Sequence, residues 1–173
     1  QQGVLDGLAH WRPTTGTPQG AVISPLLSNI YLNPLDHEMA QHGYEMVRYA
    51  DDFVVLCRTQ AQAEGALERV RQWVETNGLS LHPEKTRIAD ADGMGFAFLG
   101  YHFRGGQRWP RKKSQQKLRD VLREKTRRTD GRSLEAIIVD LNRTLRGWYA
   151  YFKHAHRYTF GALDGWLRMR LRS

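Results

Sequence analysis

Two adjacent carboxylates, Asp51 and Asp52, interrupt the β-prone run Val47-Arg48-Tyr49-Ala50-Asp51-Asp52-Phe53-Val54-Val55-Leu56. The Val, Tyr and Phe on either side predict two strands joined by a tight hairpin with an acidic tip. On a straight strand neighbouring side chains point to opposite faces, but at a turn the two can converge on one hard cation. Carboxylate oxygens suit Mg²⁺, with Mn²⁺ as a substitute, and two such ions can clamp the attacking and leaving oxygens of phosphoryl transfer. A lone Asp-Asp in a hairpin is more often an ordinary exposed turn. The surrounding residues must decide between the two.

Charge is distributed unevenly along the 173 residues. Through Gly100 there are 7 Lys and Arg against 12 Asp and Glu, whereas from Tyr101 onward there are 19 against 6. A basic half beside an acidic-tipped half suggests a polyanion held by one part while the other does chemistry. The apolar runs are broken by Ser, Pro, Asn or Arg, so no membrane-spanning segment and no membrane partner is expected. A single cysteine, Cys57, excludes an internal disulfide and a cysteine-rich zinc site, which fits a reducing, bacterial-type cytoplasm.

Several elements must position the acidic pair. Pro13 to Gly20 reads as a loop, after which Ser24-Pro25 supplies an N-cap and a proline at the first helical position. Leu26, Leu27, Ile30, Tyr31, Leu35 and Met39 recur at helical spacing as a core face up to Gly43, with Pro34 expected to kink or split the helix. After the hairpin, Thr59 with Gln62 forms a capping box for a helix ending at Asn77-Gly78. Leu79 and Leu81 start an extended stretch; Phe96–Phe103 reads as one strand, turned back at Arg104-Gly105-Gly106-Gln107. The first residues show no helix or strand start.

Beyond a boundary near 104–113 the pattern becomes helical. Ser114 caps a helix with Leu118, Val121 and Leu122 toward a core, and Arg119, Arg123 and Arg127 stack on another face. A second helix covers Leu134–Leu145, an aromatic third begins at Gly147-Trp148-Tyr149, and Leu163–Leu171 marks a fourth. The whole reads as α+β: a mainly antiparallel sheet layered with helices, followed by an all-α bundle, with domains at 1–103 and 104–173.

Five blocks now agree in order. Thr17-Pro18-Gln19-Gly20 with Ser24-Pro25-Leu26-Leu27, Tyr49-Ala50-Asp51-Asp52, Gly78-Leu79-Ser80-Leu81 through Lys85-Thr86, Phe98-Leu99-Gly100-Tyr101, and Gly147-Trp148-Tyr149 through Phe152 together resemble the reverse transcriptase/maturase proteins encoded by group II introns. The resemblance implies a partial right-hand polymerase palm followed by the thumb, or maturase-specific, region. It implies RNA-directed DNA synthesis by two-metal phosphoryl transfer, together with assistance to intron splicing and mobility.

Its implied site residues follow from the matched blocks. Asp51 and Asp52 would ligate the catalytic ions, Asp51 more directly. Ala50 would let the primer end approach and Tyr49 would brace the hairpin. The Gln19 amide would donate and accept near the template base or incoming dNTP, in a loop shaped by Pro18 and Gly20. Lys85 would contact the triphosphate or donate a proton to the leaving pyrophosphate. Arg111, Lys112, Lys113, Arg119, Arg123 and Arg127 suit phosphates of intron RNA or of an RNA/DNA template–primer. Trp148, Tyr149, Tyr151 and Phe152 are expected to pack the bundle, with His154, His156 and Tyr158 in a basic aromatic stretch beside it.

One departure matters. The family's palm takes a further metal-binding aspartate from a strand well upstream of the Thr-Pro-Gln-Gly loop. Only sixteen residues precede that loop here, and the sole carboxylate among them, Asp6, lacks such a strand context. The chain therefore reads as a piece of a longer polymerase, with fingers and first palm aspartate elsewhere and no DNA synthesis of its own. The alternative reading is an intron RNA-binding maturase module that acts as a splicing cofactor without chemistry. Oligomeric state is not legible.

Overall fold

The computed structural model describes residues 22–172, together with the backbone of two short strands near the start of the chain. Those strands, β1 (Val4–Asp6) and β2 (Ala9–Trp11), pair antiparallel. A hairpin thus stands where the sequence showed no strand start, and Asp6 ends β1 opposite Ala9. The chain divides into two compact units between Ile88 and Ala89. Its architecture is α+β, with three small antiparallel sheets and five helices among the described residues.

In the first unit α1 (Ser24–Gln41) leads into the hairpin of β3 (Glu45–Tyr49) and β4 (Asp52–Leu56), and α2 (Gln60–Thr76) follows. Leu32, Leu35 and Met39 of α1 bury against Ala66, Val70 and Val74 of α2. Met46, Phe53 and Val55 pack onto this core from the hairpin's inner face. Cys57 joins them half-buried, and burial pushes its thiol pKa up. Both helices end in a Schellman turn. Gly43 at φ +75° bonds to Ala40 while Tyr44 bonds to Met39; Gly78 at φ +69° repeats the pattern with Glu75, and Leu79 with Val74.

Three local expectations need correcting in this unit. The N-cap of α1 is Ile23 rather than Ser24, because Ile23 is already helical and its carbonyl accepts the first intrahelical bond from Leu27 at 3.0 Å. Pro34 does not split α1, which runs through it. Of the expected apolar face only the second half is buried: Leu26, Leu27, Ile30 and Tyr31 are exposed, and Tyr31 instead donates its hydroxyl to the Asn77 carbonyl at 2.7 Å. The stretch after α2 runs without regular structure over residues 79–82 and turns at 83–85. The capping box holds with a shift: Thr59 Oγ1 accepts from Gln62 N–H, while Gln62 Oε1 accepts from Arg58 N–H.

The second unit begins with a three-stranded meander of β5 (Phe96–Phe98), β6 (Tyr101–Arg104) and β7 (Gln107–Pro110). The single strand expected over 96–103 is a hairpin, because Leu99 and Gly100 both adopt positive φ, the requirement of a two-residue turn matched to strand twist. Gly105 and Gly106 make the next turn in the same way. Gly95 has φ +72°, and a Cβ there would lie 2.1 Å from the Phe103 carbonyl oxygen.

Three helices complete this unit: α3 (Lys112–Lys125), α4 (Leu134–Phe152) and α5 (Tyr158–Arg172). The cap of α3 is Arg111 rather than Ser114, whose hydroxyl reaches back to the Gly100 carbonyl at 3.4 Å. The expected second and third helices are one. Leu141, Leu145, Trp148 and Phe152 keep a single stripe at helical spacing straight through Gly147. Leu118, Leu122, Leu141 and Leu167 form the core, with Trp148 and Trp166 against it. The sheet docks on the end of α4, where the Tyr101 hydroxyl donates to the Tyr151 carbonyl at 2.6 Å and the Tyr151 hydroxyl to the Leu99 carbonyl at 2.7 Å.

Candidate active site

Strand alternation decides what the β3–β4 hairpin presents. Met46 and Arg48 turn inward, whereas Glu45, Val47 and Tyr49 are exposed. Tyr49 pairs with Asp52, so Ala50 and Asp51 alone make the turn. Ala50 has φ +53°, an unusual conformation for a residue with a Cβ. Asp51 and Asp52 are both exposed, and neither carboxylate has a hydrogen bond or ion pair among the described residues. Their oxygens are free to accept from solvent, or to ligate a hard cation. Among the described residues no cluster of three or more His, Cys, Asp or Glu gathers around a metal-sized space. The pair therefore fits as part of a divalent-ion ligand set, not as a closed cage.

Beneath the turn lies a residue that the motif reading passed over. Arg48, with its side chain 10% exposed, donates Nε to Asp36 Oδ1 at 2.8 Å and Nη2 to Asp36 Oδ2, a bidentate ion pair onto α1. Its Nη1 donates to Asn29 Oδ1 at 2.9 Å and to the Ala50 carbonyl at 2.8 Å. The Asp36 carboxylate, hydrogen-bonded to the guanidinium, raises the Arg48 pKa above its already high ordinary value. A signal was available: an arginine on the inward face of a strand, among Met46, Phe53 and Val55, must have a partner.

The remaining candidates are dispersed. Gln19 and Gly20 lie outside the described residues. Lys85 sits exposed in the turn after α2, its side chain without a partner among the described residues. In the second unit Arg111, Lys112 and Lys113 open α3, exposed, with side chains likewise unpaired. The Arg119/Arg123/Arg127 row is largely engaged within the molecule. Arg119 and Arg123 each lie 5.6 Å from the Trp166 ring, Arg123 pairs with Asp120 at 2.6 Å, and Arg127 lies past the helix end at 4.0 Å from Glu124. Further basic residues serve as struts: Lys125 and Arg132 both pair with Asp140, and Arg108 donates to the His154 carbonyl at 2.6 Å.

Comparison with known proteins agrees with this layout. The family model described as reverse transcriptase (RNA-dependent DNA polymerase) matches residues 6–103, and that of the group II intron maturase-specific domain matches 107–173. The chain belongs to the reverse transcriptase family. With the second match it is a reverse transcriptase/maturase of the group II intron type, in which a partial palm precedes a largely helical region. Protein YkfC of Escherichia coli (strain K12) is 36% identical over 50% of this chain and 32% of its own length. Retron Mx162 reverse transcriptase of Myxococcus xanthus is 35% identical over 42% of this chain and 18% of its own. A retrovirus-related Pol polyprotein from type-1 retrotransposable element R1 2 of Nasonia vitripennis is 32% identical over 41% and 19%. This reverse transcriptase/maturase chain thus spans about a third of the first relative and under a fifth of the others. Reverse transcriptases generally use divalent metal ions, which suits the free carboxylates of the hairpin tip. Among the described residues no helix is long and apolar enough to cross a membrane.

Proposed function

We propose that these residues supply the acidic hairpin and the RNA-gripping thumb of an RNA-directed DNA polymerase, with the palm in 1–103 and the thumb/maturase region in 104–173. The observation that carries the reading is the pair of exposed carboxylates, Asp51 and Asp52, unpaired among the described residues, at a hairpin tip fastened to α1 by a largely buried arginine side chain. Asp51 and Asp52 hold divalent cations, physiologically Mg²⁺ and alternatively Mn²⁺, which when bound activate the primer hydroxyl and neutralise charge on the dNTP phosphates. Tyr49 shares the outer face with Asp52 and braces the primer end. Ala50 keeps that approach clear, Gln19 and Gly20 serve the template base or incoming dNTP, and Lys85 meets the triphosphate.

Arg111, Lys112 and Lys113 grip backbone phosphates of intron RNA or of the template–primer, since they are the expected cations with no partner among the described residues. Arg119, Arg123 and Arg127 contribute less. A second role, folding the intron RNA for splicing, is favoured by the match to the maturase-specific domain and by the excess of 19 basic over 6 acidic residues after Gly100. Because two carboxylates alone leave most ligand positions of such a cation to others, the 173-residue chain by itself extends no primer. Primer extension on an RNA template, with the full-length protein and with this chain, each beside its Asp51→Ala variant, tests both statements. Extension by the full-length protein that survives Asp51→Ala would refute the site. Extension by the chain that is lost in Asp51→Ala would refute the claim of an incomplete ligand set.

A further inference from the structure

Arg48 makes more hydrogen bonds than charge balance requires. Asp36 alone neutralises the guanidinium through two nitrogens, yet the third, Nη1, is spent on the neutral oxygens of Asn29 and Ala50. The Ala50 carbonyl belongs to the peptide bond that leads into Asp51. Fixing that peptide plane fixes the direction in which the Asp51 Cα, and so its carboxylate, leaves the turn. Ala50 itself is held at φ +53°, which a residue with a Cβ does not hold by preference. Asp36 directly follows Leu35, which is fully buried in the α1–α2 core. The arginine therefore ties the tip of the hairpin to the buried α1–α2 core, rather than leaving it to a two-residue turn.

We propose that Arg48 is a positioning residue: through its bond to the Ala50 carbonyl and its anchor on Asp36 and Asn29, it sets the geometry in which Asp51 and Asp52 receive divalent cations. This rests on the reading of the hairpin as the metal-binding site. An arginine that merely stabilises the fold would, when altered, lower melting temperature and amount of folded enzyme without changing how much metal the folded enzyme needs. A positioning arginine changes the metal requirement itself. Lysine keeps the charge at this position but cannot reach Asp36 bidentately and Ala50 at once.

The experiment uses the full-length protein and its Arg48→Lys, Asn29→Ala and Asp51→Ala variants. Primer extension is followed against Mg²⁺ and Mn²⁺ concentration, alongside KM for dNTP, RNA affinity and thermal melting. Arg48→Lys is expected to lower kcat about tenfold or more and to raise the half-saturating metal concentration by a similar factor. RNA affinity should stay within about twofold, because the phosphate-binding cations are other residues. Should Arg48→Lys fail to fold, Asn29→Ala, which leaves the ion pair intact, is read in its place: a raised metal requirement supports the proposal and an unchanged one overturns it. A folded Arg48→Lys enzyme with wild-type metal dependence overturns the positioning role even where Asp51→Ala abolishes extension. If Asp51→Ala still extends primers, the site reading falls, and the positioning role falls with it.

Discussion

The two units use charge in opposite ways. In the first, one largely buried guanidinium does structural work, and the hairpin-tip carboxylates above it have no partner among the described residues and are open to solvent or a ligand. In the second, where 19 basic residues follow Gly100, many cations are struts: Arg132 and Lys125 on Asp140, Arg108 on a carbonyl, Arg119 and Arg123 on Trp166. Net charge therefore overstates what that unit can offer a polyanion. The basic residues available are those without partners among the described residues, Arg111, Lys112 and Lys113 where α3 begins and, beyond them, Arg143 and Arg146 on α4 among others. A charge count locates a nucleic-acid-binding half; pairing within the fold determines which residues of that half can bind.

If each unit has its own core, truncating one should damage that one first. Leu35→Ala and Leu122→Ala each remove a fully buried side chain and should each cost about 3–5 kcal/mol. Hydrogen exchange should show protection reduced mainly in residues before Ile88 for the former and after Ala89 for the latter. Uniform reduction in both variants would mean that the two units unfold as one. Gly95→Ala should come next, costing about 2 kcal/mol or more, since alanine there is strained and its Cβ meets a backbone oxygen at 2.1 Å. The β5–β7 meander should lose protection first.

Trp148 sharpens the picture of the second core. Its ring lies 4.7 Å from Phe152, and its buried indole N–H has no acceptor among the described residues. Trp148→Ala should cost about 3 kcal/mol, whereas Trp148→Phe should cost about 1 kcal/mol or less because no hydrogen bond is broken. Denaturant melts of the two variants give the answer. Equal losses would mean that the indole nitrogen is satisfied after all.

Much of this was legible from the residues. The acidic hairpin and the capped helix after it follow from Val and Tyr runs around Asp-Asp and from Thr59 with Gln62. What escaped did so for physical reasons. Leu99 at positive φ hides a turn inside an apolar run, since nothing in a leucine announces that conformation. Gly147 suggested a helix break, but a continuous buried stripe outweighs the modest cost of one glycine. Leu26, Leu27 and Ile30 looked like core because periodicity reports a face without saying what covers it. Arg48 was in plain view beside the aspartates. Only strand alternation, which turns it inward toward Asp36, identifies its role.

Smaller effects separate bound from free cations. Replacing Arg111, Lys112 and Lys113 with Ala should flatten the dependence of RNA affinity on salt by about one unit of log–log slope for each phosphate-binding cation removed. The Arg119/Arg123/Arg127 triple variant should change it less and instead lower stability, because Trp166 is then stripped of the two guanidinium groups beside its ring. The reverse order would show that the internal pairs open for RNA. Smallest is the acid response of the Asp140 strut, whose carboxyl is held below the ordinary range by hydrogen bonds from Lys125 and then Arg132. A carboxyl with depressed folded pKa contributes stability above its unfolded value, near about 3.9, and loses it as pH falls through the folded value. The melting difference between wild type and Asp140→Asn should be constant near neutrality and shrink below about pH 4. A difference independent of pH would mean that the pair contributes through packing alone.

If chemistry resides on the acidic hairpin and RNA binding on the basic unit, a single aspartate change should separate the two. The measurement that tests it most directly is a paired assay of full-length protein carrying Asp51→Ala: primer extension on an RNA template and affinity for that same template–primer, in one buffer. Extension should fall by about a thousandfold or more while affinity stays within about twofold, because removing a metal ligand takes away transition-state charge stabilisation but leaves the phosphate-binding residues in place. Retained extension, or a parallel loss of affinity and extension, would contradict the division.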